Sequence, residues 1–171
     1  RPERITDVSY VIDLHVLRYC KKLGLVLPSR NFQAESESFE GATVKQPKPN
    51  IYDNVAVFDV KSLYPSIIQT FNICPTTYSV VKKDESIKLS DYYFDKTKRG
   101  ILPTILEDVN NKRDYIKNVE MKKFEKWSNE WGVLSIRQNL LKTFQNSSYG
   151  VFGYPKYRLY KKEIAESITW C

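Results

Sequence analysis

Residues 55–68, VAVFDVKSLYPSII, decide the fold because they join an apolar run to a carboxylate and a polar turn. The run 55–58 is apolar and β-prone, which predicts a buried strand that ends at Asp59. A helix is predicted to begin near Pro65, since proline is favoured in the first turn. A carboxylate at the end of a buried strand is costly unless a cation meets it, so Asp59 is a candidate metal ligand. The alternative is that Asp59 caps the following helix.

A second stretch, residues 138–150 with the sequence QNLLKTFQNSSYG, predicts a helix that presents polar side chains on one surface. Lys142, Asn146 and Tyr149 are spaced i, i+4 and i+7, so they share one helical face. A cation, an amide and an aromatic ring therefore line one surface that ends at Gly150. The apolar side chains predicted to face inward are Leu140, Leu141 and Phe144.

In this order, the patterns DxxSLYPSII and KxxxNSxYG closely resemble motifs A and B of family B DNA polymerases. Residues 39–42, FEGA, resemble the family's aromatic-x-Gly-Gly/Ala segment, which implies that Gly41 touches the template strand. Residues 100–103, GILP, followed by Arg113 and Lys117, resemble the start of the first fingers helix. Residues 166–169, ESIT, resemble the segment that returns the chain to the palm. The match extends from Phe39 to Trp170.

The helical periodicity predicts a hairpin in the second half of the chain. Pro103 suits a first turn, and apolar residues continue at helical spacing to Phe124. A break is predicted at Ser128–Gly132, and residues 133–144 then form a second helix running back, which makes an antiparallel pair. Residues 75–81 are compatible with a further strand, and residues 82–100 form a polar excursion.

Together with the resemblance, this pattern implies an α+β fold: a partial antiparallel polymerase palm sheet with a two-helix antiparallel fingers hairpin. Residues 1–50 are expected to form an N-terminal connector helix and loop, and residues 51–99 the first part of the palm with motif A. Residues 100–150 are expected to form the fingers with motif B, and residues 151–171 the return to the palm.

The resemblance also implies roles in nucleotide binding. Asp59 bridges two Mg²⁺ ions, with Mn²⁺ as a possible substitute, and the carbonyl of Val60 binds the ion on the nucleotide side. Two such ions stabilise the entering and leaving oxygens of nucleotidyl transfer. Backbone amides and hairpin side chains bind the dNTP phosphates. For Arg113 and Lys117, a helix face exposed to solvent is the alternative. These phosphate-binding residues are Ser62, Leu63, Tyr64, Arg113, Lys117, Lys142 and Asn146.

Aromatic residues complete the implied site. Tyr64 is expected to lie beneath the sugar, where its ring excludes a 2′-hydroxyl, and packing within the turn is a compatible second role. Tyr149 and Gly150 are expected to support the new base pair, and Tyr154 to lie close to the template. Lys156 and Arg158 are candidates for DNA backbone contacts, with ordinary surface charges on a strand edge as the alternative.

Composition favours a polyanionic partner, since the net charge is +7 and the pI is near 9.2. Residues 96–142 hold eleven Lys or Arg and six Asp or Glu. The three cysteines suggest neither a disulfide framework nor a zinc site, which indicates a reducing interior, cytoplasmic or nuclear according to the source. No apolar run approaches the roughly 20 residues of a membrane span, so no membrane partner is expected.

One departure from the family is plain. The Tyr-Gly-Asp-Thr-Asp type hairpin that carries the second catalytic aspartate occurs nowhere in the sequence, and neither thumb nor exonuclease is recognisable. The resemblance therefore implies the palm and fingers part of an enzyme for template-directed DNA synthesis, inactive on its own. Its expected partners are primer-template DNA, dNTP and the portion with the second aspartate. The alternatives are one subunit of a split polymerase and a non-catalytic nucleotide- or DNA-binding fragment.

Overall fold

The computed structural model describes residues 8–35 and 44–171. Gly41 and the rest of the predicted template-contacting segment 39–42 fall outside these ranges. The described helices, in chain order, are α1 (Val8–Lys22), α2 (Leu63–Phe71), α3 (Ile101–Tyr115), α4 (Asn129–Phe152) and α5 (Lys162–Trp170). Three short strands lie between α2 and α3, namely β1 (Tyr78–Ser79), β2 (Ser86–Leu89) and β3 (Tyr92–Asp95). The predicted α+β class is confirmed.

The hydrophobic core lies where the five helices meet the small sheet. Each helix presents an apolar stripe to this core, as expected of surface helices at a period of 3.6 residues. The sheet contributes Phe94, which is fully buried. The helical members of the core include Ile12, Val16, Ile68, Ile105, Leu106, Val109, Phe152, Ile164 and Ile168.

The predicted antiparallel hairpin is present as α3 and α4. Two hydrogen bonds fix its register: Arg113 bonds Gln138, and Asn110 bonds Gln145. The later residue of α3, Arg113, bonds the earlier residue of α4, Gln138, so the two helices run in opposite directions. Beyond Tyr115 the first helix continues as a π-helical turn, Ile116–Glu120, and a short 3₁₀ turn, Met121–Lys123.

The hairpin departs from the sequence prediction in two details. The break between the helices lies at residues 124–128, which overlap the predicted Ser128–Gly132 only at Ser128, and it contains Trp127 at a positive φ of 75°. Leu140 is 65% exposed and does not face inward, whereas Leu141 and Phe144 pack against the core as predicted. The reason is that α4 crosses the core along one narrow stripe, and two adjacent leucines cannot both lie on it.

The sheet has the strand order β1-β3-β2, and both pairings are antiparallel. β1 falls within the predicted strand region 75–81. Residues 82–100, which the sequence marks only as a polar excursion, contain the β2–β3 hairpin. In β2, Ser86 and Lys88 alternate with Ile87 and Leu89, and Ile87 packs against the core in which Leu89 and Phe94 are buried.

The predicted buried strand before Asp59 is wrong. Residues 55–58 form irregular structure, and the side chains of Val57 and Phe58 are 88% and 93% exposed. β-branched and aromatic residues favour a pleated, half-buried surface, but that preference takes effect only when another strand supplies hydrogen bonds. Within residues 8–35 and 44–171, no strand pairs with this segment.

A buried asparagine joins the end of α2 to the start of α3. Asn72 has a left-handed backbone at the C-terminus of α2, and its Nδ2 donates to the carbonyl oxygens of Asp95 and Lys98 at 2.6 and 2.8 Å. Its Oδ1 accepts from the Gly100 amide at 2.8 Å. A Cβ at Gly100 would lie 2.6 Å from that of Cys74, so the close approach requires glycine. This joint sets where the helical hairpin leaves the core.

We expect Asn72→Ala to lower the free energy of unfolding of the 171-residue chain by about 3 kcal/mol, because it removes hydrogen bonds to three backbone groups, one of which, the Gly100 amide, is buried. Urea unfolding followed by circular dichroism measures the change. Asn50→Ala is the matched control: among the described residues its side chain bonds only the exposed Ile51 amide, so about 0.5 kcal/mol or less is expected. Equal effects of the two substitutions would contradict the structural role of Asn72.

Candidate functional site

The motif A turn precedes α2 as an exposed segment. Asp59 and Val60 are exposed and lie outside regular structure. Ser62 occupies the N-cap position of α2 with a left-handed backbone (φ 53°, ψ 52°), and the Ser66 hydroxyl donates to the Lys61 carbonyl at 3.1 Å. Since Ser62 is the N-cap residue, the alternative role of Asp59 as helix cap is wrong. The carboxylate is instead presented to solvent just before a tight turn.

This turn lies against the helical hairpin. Lys61 Nζ is 3.6 Å from Asp114 Oδ1, and Asp114 directly follows Arg113 on α3. A cavity of about 210 Å³ lies at the junction of the turn with α2, α3 and α4. Its lining is entirely polar and consists of Lys61, Ser62, Ser66, Gln69, Thr70, Asn110 and Gln145. Motif A is therefore adjacent to both hairpin helices.

The two motifs meet directly through a pair of aromatic rings. Tyr64, at the second position of α2, stacks on Tyr149 of α4 with ring centroids 4.3 Å apart and an interplanar angle of 22°. Burial raises the pKa of the Tyr149 hydroxyl, and the neighbouring Tyr64 raises it further. Both rings are half-buried, so each keeps a surface open to solvent. Gly150 follows with open space around it, since a Cβ there would meet no atom within 4 Å.

The hairpin cations differ in exposure. Lys142 and Asn146 are exposed on α4, and Lys117 is exposed on the π-helical turn. Arg113 is only 8% exposed, and its Nε donates to Gln138 Oε1 at 3.2 Å. A π-helical turn bonds i to i+5 and is wider than an α-helical turn, so Lys117 does not follow directly above Arg113 as the four-residue spacing suggests.

Sequence reasoning missed Gln145, which is 1% exposed and lines the polar cavity. Its Nε2 donates to Asn110 Oδ1 at 3.4 Å, and its Oε1 has no hydrogen-bond partner among the described residues. The signal was present, because residue 145 lies four positions after the core-facing Leu141. A polar residue at an inward position of an amphipathic helix normally needs a partner.

The loop after α4 carries three predicted DNA-contacting residues, of which two are exposed and the third is bonded to Asp13. Tyr154 and Lys156 are exposed. Arg158 instead donates from Nε and Nη2 to the buried Asp13 carboxylate at 2.6 and 3.1 Å, and from Nη1 to the Pro28 carbonyl. The hydrogen bonds to the Asp13 carboxylate raise the pKa of Arg158. The loop forms turns, so the alternative of a strand edge is wrong.

The donor set of the site fits part of a magnesium centre. Asp59 offers an exposed carboxylate, and the next residue, Val60, offers a backbone carbonyl beside it. Mg²⁺ takes oxygen ligands, keeps several waters, and is commonly held by one or two carboxylates plus substrate phosphate. Across the part of the chain that the structure describes, no group of three or more His, Cys, Asp or Glu is placed to hold a metal. The motif A turn, residues 59–62, thus offers one carboxylate, that of Asp59, as a ligand for a cation.

The family model for DNA polymerase family B matches residues 6–171. DNA polymerase 2 of Aeropyrum pernix is 34% identical over 171 residues, which cover 95% of this chain and 21% of that protein. The DNA polymerase of Archaeoglobus fulgidus is 36% identical over 160 residues, covering 92% and 20%. The structure of the family B DNA polymerase from Pyrobaculum calidifontis superimposes with a TM-score of 0.77 at 34% identity, covering 94% of this chain and 22% of that one.

The helical hairpin beside the exposed motif A turn is part of a mixed fold of five described helices and a small antiparallel sheet, and this fold matches a fragment of a polymerase structure. The chain belongs to DNA polymerase family B. It spans about a fifth of the length of the relatives it matches. Among the described helices, none has the length and apolar character to cross a membrane.

Proposed function

We propose that this chain supplies the palm and fingers part of a DNA polymerase that extends a primer by two-metal nucleotidyl transfer. The stack of Tyr64 on Tyr149 carries this proposal. The stack brings motif A into contact with α4, which supports one shared site for the proposed catalytic carboxylate and the proposed nucleotide-binding residues Lys142 and Asn146. Asp59 and Val60 of motif A and Lys142 of motif B would then act on the same bound nucleotide.

Asp59 is the proposed catalytic residue. Its exposed carboxylate and the Val60 carbonyl would hold Mg²⁺, which neutralises charge on the reacting phosphate when bound. The second carboxylate of the centre must come from another portion of the polymerase. Asp59 occupies irregular chain in this structure, so we infer that pairing of residues 55–58 with a strand of that portion fixes its carboxylate.

The triphosphate would bind between the turn and the hairpin. Lys142 and Asn146 are exposed on one face of α4, and Lys117 is exposed on the facing helix. Charge-assisted hydrogen bonds from these groups would balance the charge of the leaving pyrophosphate. Backbone amides of residues 62–64 would add neutral donors. Arg113, which is bonded to Gln138, would reach a phosphate only by exchanging that bond.

The sugar and bases would contact the aromatic surface. The Tyr64 ring would exclude a 2′-hydroxyl, and Tyr149 with Gly150 would support the new base pair. Tyr154 and Lys156, both exposed on the following loop, would contact the template and the DNA backbone. Arg158 would act indirectly by holding this loop through Asp13.

The direct test is reconstitution. The chain is mixed with the portion of a family B polymerase that carries the second aspartate and the thumb, and primer extension is measured with and without Mg²⁺. We call the active mixture, or the continuous enzyme that contains both portions, the assembled polymerase. Mg²⁺-dependent extension that requires this chain supports the proposal. Nucleotide or DNA binding without extension, using a portion that is active with a relative's palm and fingers, would identify a non-catalytic module.

Lys142→Ala in the assembled polymerase is expected to raise the KM for dNTP about tenfold or more, with a smaller loss of kcat. The basis is one charge-assisted hydrogen bond to phosphate, worth about 1.5–3 kcal/mol. Steady-state kinetics at saturating primer-template measures both constants. Lys122→Ala, an exposed lysine near the hairpin tip, is the matched control and should change neither. Weaker DNA binding with an unchanged KM for dNTP would show that Lys142 binds the other polyanion.

A further inference from the structure

We propose that Tyr149 is a positioning residue for sugar selection, because its stacked ring holds Tyr64 in the orientation that excludes a 2′-hydroxyl. The proposal rests on the proposed function, in which Tyr64 is the sugar filter. It adds a second residue to that filter, one that determines ribonucleotide discrimination through another side chain.

The geometry supports a close, nearly parallel contact. The ring centroids are 4.3 Å apart and the ring planes differ by 22°. At this separation the two faces are in van der Waals contact, and no further group fits between them. Tyr149 therefore blocks one side of the Tyr64 ring and limits the rotamers that it can adopt.

The two tyrosines differ in how firmly the chain holds them. Tyr64 lies in the first turn of α2, after an exposed segment and an N-cap serine that makes no side-chain cap hydrogen bond. Tyr149 belongs to α4, a helix of 24 residues, and its neighbours Gln145, Ser148 and Phe152 are buried. The Ser148 hydroxyl donates to the Phe144 carbonyl at 2.8 Å, within the same helix. The well-packed helix thus supports the residue on the less constrained turn.

Loss of the Tyr149 ring should have a specific consequence. Tyr64 would remain in place in the sequence but gain rotational freedom on the side that Tyr149 now occupies. The Tyr64 ring excludes a 2′-hydroxyl only while it occupies the space beside the sugar. If the ring can rotate out of that space, the site would accept ribonucleotides. Phenylalanine at position 149 keeps the stacked ring and should keep the selection, since the contact does not involve the hydroxyl.

The test is a double-mutant cycle in the assembled polymerase, measured as the ratio of kcat/KM for a ribonucleotide to that for the matching deoxyribonucleotide. Tyr149→Ala is expected to raise this ratio about tenfold, and Tyr149→Phe to leave it unchanged. In the Tyr64→Ala background, Tyr149→Ala is expected to add nothing, because the residue it positions is gone. The ratio cancels any general loss of activity.

The outcomes distinguish the positioning role of Tyr149 from the filter role of Tyr64 and from the polymerase function. An unchanged ratio for Tyr149→Ala, or an equal rise in both backgrounds, would overturn the positioning role while leaving the polymerase function intact. An unchanged ratio for Tyr64→Ala would instead reject the filter on which the proposal rests. Should Tyr149→Ala prove inactive, Tyr149→Leu keeps the apolar volume without a ring. It should raise the ratio in the same direction, and an unchanged ratio there would also overturn the proposal.

Discussion

Asp59→Ala in the assembled polymerase is expected to lower turnover by about a thousandfold or more while leaving DNA binding nearly unchanged. Under the proposed function the Asp59 carboxylate would help to hold the metal ions, and loss of that charge stabilisation in the transition state would act on kcat. In the proposal, DNA binding would depend on cations such as Lys156 and would not involve Asp59. Single-turnover extension and a primer-template binding assay separate the two quantities.

Asp53→Ala is the matched control for this experiment. Asp53 is an exposed carboxylate in the same irregular segment, six positions before Asp59. It carries the same charge, so its removal reproduces any general electrostatic effect on DNA or nucleotide. We expect turnover within about twofold of the unmodified enzyme, as for a typical surface substitution. Wild-type turnover in Asp59→Ala would remove this residue from the metal site.

Tyr64→Ala is expected to raise the ratio of ribonucleotide to deoxyribonucleotide incorporation by about a hundredfold. The physical basis is volume: removing the ring opens space at the sugar for one additional hydroxyl. The kcat/KM for dNTP should fall much less, because the phosphate-binding residues are unchanged. Competition between the two nucleotides on one primer-template measures the ratio directly.

Tyr64→Phe provides the matched control for sugar selection. It keeps the ring, and with it both the excluded volume and the stack on Tyr149, so the ratio should not change. A ratio raised by Tyr64→Phe would mean that the hydroxyl recognises the sugar. A ratio unchanged by Tyr64→Ala would assign selection to a different residue.

The helical hairpin and the meeting of the two motifs could be predicted from the sequence. Helix periodicity depends on neighbouring residues, and the apolar spacing from Ile105 to Phe124 is long enough to be unambiguous. The adjacency of Tyr64 and Tyr149 agrees with the roles that the motif resemblance implies. Their direct ring contact was not predicted, because it depends on how α2 crosses α4.

The strand predictions were less successful, since strands depend on partners distant in sequence. Residues 55–58 have strand composition but no partner in the described chain, and they remain irregular. Residues 86–89 and 92–95 have mixed composition yet pair with each other, because Phe94 anchors them to the core. Tertiary context therefore decided both cases against local propensity.

The partners of charged side chains are a second feature that is difficult to predict from the sequence. The motif resemblance implies that Arg113 binds the dNTP phosphates, and Arg158 is a candidate for a DNA backbone contact. The structure pairs Arg113 with Gln138 and Arg158 with Asp13. A sequence does not reveal such pairing when the partner lies 25 or 145 positions away.

The contact between Asp13 and Arg158 limits how the protein can be shortened for expression. Asp13 is 3% exposed and is bound by Arg30 as well as Arg158, so this acidic residue of α1 compensates two guanidinium groups. A shortened version that starts after Arg30 would leave Arg158 without its counter-ion beside the loop that carries Lys156. Removing one partner of a buried ion pair typically costs about 3–5 kcal/mol. Any truncation series for crystallisation or reconstitution should therefore keep α1 intact.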